Sequence, residues 1–386
     1  MRKKFFKWKH FSERDTLLFK SFGILFIMAH NFFHLIKPLP GENEFSFTKA
    51  KFVSFIHLLG DTPEDFIRIT MSYLGHYGVQ IFIFLSAYGL TRKYFIKGIR
   101  SGNFIKKRLL RLYPGFILAI GFYLFAGFFF YGALGPAKVF FWKWDAILYK
   151  VLMISSYIPG QSLSPVGPWW FLPFIVSFYM VFPFLLKILK WKGPIPIILI
   201  GALSYIPIIT LYPILLKQEV NLFFMVLGHL PEFCIGMIMA RDEIEGSNFL
   251  PYFLIACAVF VLSNFFSFAW FFGHLAAMIM VIFLFKGLLL LVKQNGSLEK
   301  IFFFIGNISF HIFLINGFTR EPWDQITANY DHWFMTIIFG LVSMSISIAT
   351  AYLLYRLEKY LVLKIKNKYN EHKLLSPPFQ LDLKPL

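Results

Sequence analysis

"FGILFIMAHNFFHLI", residues 22–36, is a run of hydrophobics interrupted only by His30, Asn31 and His34. A helix needs about 20 mostly apolar residues to cross the hydrocarbon core of a bilayer. This stretch and the residues before it supply them. Blocks of the same kind recur along the chain. Hydropathy and length predict about ten spans, near 16–35, 74–91, 115–135, 167–188, 194–216, 221–240, 248–269, 274–293, 301–318 and 332–355. The expected fold is therefore an all-α, polytopic integral membrane bundle.

The composition points the same way. Of 386 residues, 58% are hydrophobic and 20% aromatic, Phe alone numbering 52, while 15% are charged. A soluble domain carries roughly 25% charged residues. No internal repeat stands out and the connections are short. The chain is read as one membrane-embedded domain, 1–386, with a basic tail at 356–386. No small-residue cleavage site follows the first apolar run, so the reading keeps it as a span.

A net charge of +18 raises the question of nucleic acid, but its distribution answers otherwise. The bases cluster between spans: Arg2, Lys3, Lys4, Lys7, Lys9 and Arg14; then eight from Arg92 to Arg111 with no acid among them; then Arg356 to Lys368. With ten spans these clusters share one side, which the positive-inside rule makes the cytoplasm, with both termini there. Membrane lipids are the expected partners of these charges, not nucleic acid. The segments 36–73 and 136–166 are then expected as opposite-side loops. The oligomeric state is left open.

An ionisable group within a span is a functional candidate by default. His30 stands about 15 residues into its helix, roughly 20 Å along at 1.5 Å per residue, in the outer half of the membrane. It either ties two helices together by a hydrogen bond or serves the chemistry. His34, four residues on, shares its face and reads as an interfacial residue. That pair has zinc-ligand spacing but no third ligand beside it, so no metal is expected. Cys234 and Cys257 lie inside apolar blocks, which argues against a disulfide or thiolate cluster. Lys20, near the inner end of the same span, either snorkels to the headgroups or faces an anionic ligand.

In "FIKKRLLRLYP" (104–114), Arg108 and Arg111 are spaced i, i+3 and share a helical face. Paired guanidiniums suit bidentate phosphate binding, whether of a substrate or of lipid. "GHLPEFCIGM" (228–237) sets Glu232 near the middle of a span, where a carboxylate needs a partner. "SFHIFLINGFTRE" (309–321) brings His311 and Asn316, then Arg320 and Glu321 at the outer end. "GPWWFLPF" (167–174) opens a span with Trp169 and Trp170, either an aromatic belt or rings that stack on sugars.

Taken in order, "LFKSFGILFIMAHNFFH", "GHYGVQIFIFLSAYGL", "RLLRLYP", "GPWWFL", "LPEFCIGM" and "GNISFHIFLIN" resemble the acyltransferase 3 family of bacterial membrane O-acyltransferases, which modify extracytoplasmic glycans. The resemblance runs from about residue 12 to 357. It implies a catalytic histidine at His30, with Lys20 and Glu232 as further catalytic candidates. It implies an acyl-coenzyme A donor, most simply acetyl-coenzyme A, at Arg108 and Arg111. A carbohydrate acceptor would pass Trp169, Trp170, Asn316 and Arg320. No tightly bound cofactor is implied, and the expected location is the bacterial cytoplasmic membrane. Two departures stand out. The family's arginine, ten residues and then histidine would put arginine at 19, where this chain has Phe19 followed by Lys20. Many members also end the last motif in histidine, where this chain has Asn316. A transporter or flippase for a glycan or lipid-linked sugar is the rival reading.

Overall fold

The computed structural model describes residues 6–36, 41–327, 329–330 and 332–375, with side chains to residue 367. Arg2, Lys3 and Lys4 of the first basic cluster and the side chain of Lys368 in the last lie outside them. Among the described residues there is no strand, only an isolated bridge between Lys7 and Asn248.

The opening stretch folds as α1 (Glu13–Phe33). Ser12 caps it: its hydroxyl accepts from the Asp15 amide while the Asp15 carboxylate accepts from the Ser12 amide, a capping box. Two outer helices follow, α2 (Lys49–Asp61) and α3 (Phe66–Leu74). Next come α4 (Gly78–Lys97), α5 (Ser101–Tyr131), α6 (Gly135–Val151) and α7 (Phe171–Lys192). The next span is built of α8 (Pro194–Leu203) and α9 (Tyr205–Leu216). The chain continues through α10 (Leu230–Met239), α11 (Leu250–Phe265), the short α12 (Ser267–Trp270) and α13 (Gly273–Lys293). It closes with α14 (Gly296–Thr319), α15 (Glu321–Thr327) and α16 (Trp333–Leu375).

Seven segments are long and apolar enough to cross a membrane: Glu13–Phe33, Ser101–Tyr131, Gly167–Lys192, Pro194–Leu216, Gly273–Lys293, Gly296–Thr319 and Trp333–Asn367. The other three expected spans fall on α4 and on the shorter apolar helices Val226–Met239 and Leu250–Phe265. The chain is a multi-pass, all-α membrane protein.

The bundle is organised around α1, which packs most extensively on α14 and also touches α3, α4, α13 and α16. Close approach explains one glycine on α14. A Cβ at Gly306 would lie 2.1 Å from the Leu17 carbonyl oxygen, so the backbones themselves meet there. Small residues at such crossings are how membrane helices gain packing contacts without a hydrophobic driving force.

The expected loop at 136–166 is different in kind. After the turn at 132–134, α6 runs back along α5, and the Tyr113 hydroxyl donates to the Val151 carbonyl. Residues 152–166 then return to the start of α7, packing Met153 and Val166 into the main core. Irregular backbone at depth is tolerated where protein covers it. Lys150 fits that pattern: fully buried, it donates to the Ser162 carbonyl at 2.5 Å.

Candidate active site

A cavity of about 1720 Å³ runs through the bundle from the end that carries the bases to the opposite end. At the basic end it is lined by Lys20 of α1, Lys93 and Lys97 of α4, Arg108 and Arg111 of α5, and Lys359 of α16. Among the described residues none of these six forms an ion pair with a carboxylate. Arg108 lies over the Phe104 and Tyr179 rings, at 5.3 and 5.6 Å, which holds its guanidinium at the cavity edge. These bases outnumber the two acids that line the cavity on this side, Glu13 and Glu358, which makes this limb attractive to a multiply charged anion. A second polar pair lines the same limb, His311 Nε2 lying 2.5 Å from Glu358 Oε2.

His30 lies deeper. By helical rise it stands about 15 Å beyond Lys20 along α1. Its ring is 5% exposed and borders the cavity. Nδ1 is 3.0 Å from the Ser72 carbonyl oxygen, and a carbonyl can only accept. Nδ1 therefore carries the proton, and the neutral ring presents its lone pair on Nε2. His34 stacks on His30 with ring centroids 4.7 Å apart, and its own Nδ1 donates to the His30 carbonyl. Gly75 fixes the approach of α3 to this point. A Cβ there would lie 2.8 Å from His30 Cβ and 2.9 Å from the Phe26 carbonyl oxygen.

The opposite end is lined by the segment 41–48, which the sequence presented only as part of an opposite-side loop. One ring nitrogen of His30 and one carboxylate oxygen each of Glu42 and Glu44 lie within 4.8 Å of one another. Buried donors from several helices pin the segment. Trp270 Nε1 donates to the Asn43 carbonyl at 2.6 Å, and Tyr212 and Asn221 donate to the Phe45 carbonyl at 2.7 and 2.8 Å. Asn43 Oδ1 accepts from the Thr48 amide. Burial pushes both carboxyls above the ordinary range. Glu44 is raised further by the charge of Glu42, and Glu42 is drawn back by Lys51.

Of the residues expected at the site, Lys20, His30, Arg108, Arg111, Trp170 and Arg320 line this one cavity. Arg320 stands at the end away from the bases; among the described residues its Nη1 is buried and unpaired, and its Nε donates to the Gly317 carbonyl. Three others stand elsewhere. Trp169 is wholly buried and donates to the Leu314 carbonyl at 2.7 Å, fastening α7 to α14. Asn316 is buried in α14 away from the cavity lining. Glu232 is buried too, 3.6 Å from His229 Nδ1, and does not line the cavity. Phe19, at the position of the family's arginine, is packed in the core, while Lys20 faces the cavity.

Glu42 and Glu44 are the functional candidates that sequence reasoning missed. The only signal was their acidity close behind His34. Acidity is also what an opposite-side loop shows for topological reasons.

No curated protein and no solved structure matches the chain. A family model described as an acyltransferase domain matches residues 18–356, nearly the whole chain, including Lys20, His30, Glu42, Glu44, Arg108, Arg111 and Arg320 of the cavity. The protein is thus an acyltransferase, a multi-pass member of the acyltransferase 3 family.

Proposed function

We propose that this enzyme moves an acyl group, most simply acetyl, from a cytoplasmic acyl-coenzyme A to a hydroxyl of an extracytoplasmic polysaccharide. We place it in the cytoplasmic membrane of a bacterium, with both termini inside. One observation carries the reading: a through-going cavity with bases without acid partners at one end, His30 deep within, and aromatic and acidic groups at the other.

The donor's phosphates rest on Arg108, Arg111 and Lys20. A pantetheine arm, about as long as four to five extended residues, spans roughly 15 Å. That is the helical distance from Lys20 to His30, so the thioester arrives beside the ring. The acceptor enters past Trp170, Arg320 and the segment 41–48. His30 Nε2 takes the hydroxyl proton as the oxygen attacks the thioester carbonyl. The C–S bond then breaks, and the imidazolium returns the proton to the leaving thiolate, which departs as the thiol. Arg320, with an unpaired guanidinium nitrogen at this end of the cavity, supplies positive charge near the developing oxyanion.

The test is mass spectrometry of surface glycans from cells that carry the gene, lack it, or carry His30→Ala. Acyl esters should require the gene and vanish in the variant, since a general base contributes about 10²- to 10⁴-fold. Membrane abundance should be unchanged. Full acylation by His30→Ala would remove the histidine from the chemistry.

A further inference from the structure

His30 is a poor place to create a positive charge. It is 95% buried by its 5% exposure, and its Nδ1 proton is already committed to a neutral carbonyl, that of Ser72. A buried cation without a counter-charge is strongly disfavoured. Yet a base that takes the acceptor's proton becomes an imidazolium. Among the described residues, five ionisable groups stand around the ring. His34 stacks on it, and His76 meets it edge-on with centroids 5.3 Å apart. Arg320 borders the same end of the cavity and carries the wrong sign. Glu42 and Glu44 are the remaining two and, among the described residues, the acids with carboxylate oxygens within 4.8 Å of a ring nitrogen. They do not lie there by drift. Trp270, Tyr212 and Asn221 hold the backbone on both sides of Glu44.

We propose that Glu44 is a catalytic residue of the transfer, the counter-charge that lets His30 take the acceptor's proton, and that Glu42 is a positioning residue that acts through Glu44. The proposal rests on the acyl transfer set out above. The ionised Glu44 carboxylate, within 4.8 Å of a ring nitrogen of His30, offsets the imidazolium charge during the attack, and neither gains nor loses a covalent bond. The proton passes from the hydroxyl to His30 and from His30 to the leaving thiolate, so the carboxylate ends the cycle as it began. Glu42, beside Glu44 and tied to Lys51 through its carbonyl at 2.7 Å, sets how readily Glu44 ionises.

Burial and, second, the charge of Glu42 hold the Glu44 carboxyl well above the ordinary carboxylate range. Transfer should therefore fail on acidification at a pH above that range, as Glu44 takes up a proton. Removing the charge at 42 should move that acid limb to lower pH. A role confined to shaping the loop would leave the limb where it is.

The experiment compares wild type, Glu44→Gln, Glu44→Asp and Glu42→Gln. Two readouts are used: acyl esters formed on surface glycan across pH, and acyl-coenzyme A binding by the purified protein. Glu44→Gln should lose about 10²- to 10³-fold in ester formation, on the scale of removing one preorganised electrostatic group. It should still bind acyl-coenzyme A as wild type does, because the donor's phosphates lie at the far end. Glu44→Asp should recover part of the rate. Glu42→Gln should stay active with its acid limb shifted to lower pH. Wild-type ester formation by Glu44→Gln would overturn the proposal. An unshifted limb in Glu42→Gln would overturn the part given to Glu42. Loss on chelation with recovery on added Zn²⁺ would make the carboxylates metal ligands, and would overturn the counter-charge role. Failure of the wild type to bind acyl-coenzyme A, with esters still Glu44-dependent, would sink the donor assignment alone.

Discussion

At the scale of single residues, the decisive ones are polar groups whose partners can be named. Arg108 and Arg111 are the sharpest test of the donor limb. Lysine keeps the charge, and with it any topological or lipid-binding role, but loses the planar fork that grips phosphate through two hydrogen bonds. A charge-assisted hydrogen bond is worth about 1.5–3 kcal/mol. Arg108→Lys and Arg111→Lys should therefore raise the acyl-coenzyme A needed for half-maximal transfer roughly ten- to a hundred-fold, at wild-type abundance. Unchanged donor dependence in both would leave them as lipid anchors. Gly75→Ala tests position instead of charge. Its Cβ would press on His30 Cβ and on the Phe26 carbonyl. A displacement near 1 Å can cost about 10²-fold in rate. The expected result is a folded, membrane-inserted protein that binds donor and transfers poorly; wild-type turnover would mean that α1 and α3 yield there freely. His30 was legible in the sequence because an imidazole inside an apolar run is conspicuous. Glu42 and Glu44 were not, because nothing in a loop's composition says that it folds back over a helix end. Trp169 was conspicuous yet serves packing, since a tryptophan whose N–H finds a buried carbonyl reads the same in sequence as one at a sugar site.

At the scale of elements, helical spans were legible and the excursions between them were not. Length and hydropathy suffice for α1, α5 and α14, because a helix in lipid has to satisfy its own backbone. They do not suffice for α6, whose charged and aromatic face suggested a surface loop while its apolar face packs back along α5. The short α15 is another such excursion, and it is a pH-sensitive one. Among the described residues Asp324 has both carboxylate oxygens buried without a hydrogen-bond partner, and burial pushes its carboxyl up to about 7, with Arg320 opposing and Glu321 adding to the rise. The ordinary value is 3.8. A carboxyl raised in the folded state stabilises the fold fully below the ordinary value and progressively less as pH rises through the folded one. Hydrogen exchange over 321–327, corrected for the intrinsic rate, should thus show protection falling between pH 4 and 7. Asp324→Asn, which cannot ionise, should hold its protection across that window. A wild-type profile flat with pH would mean that Asp324 is solvated and has no hold on α15.

At the scale of the whole molecule, the cavity gives the enzyme a direction. Its basic limb draws on α1, α4, α5 and α16, whose cationic ends the hydropathy pattern puts on one side of the membrane; its other end opens among α7, the segment 41–48 and Arg320. Under the proposed function, Lys20, Arg108 and Arg111 would attract the donor's phosphates, whereas Glu42 and Glu44 at the far end would repel them. The two substrates should therefore be usable from opposite faces only. In proteoliposomes sorted for one orientation, acyl-coenzyme A should support transfer when supplied to the face bearing residues 92–111, and a glycan acceptor when supplied to the other. Exchanging the compartments should abolish the reaction. Ionic strength separates this electrostatic account from simple shape. Charges screen over about 10 Å at 0.1 M salt and about 3 Å at 1 M. Raising salt on the donor face should weaken acyl-coenzyme A binding, with less effect on a neutral glycan at the opposite face. Transfer with both substrates on one face, at a rate matching the two-sided arrangement, would show that the cavity does not divide the membrane, and the through-going path would have to be given up.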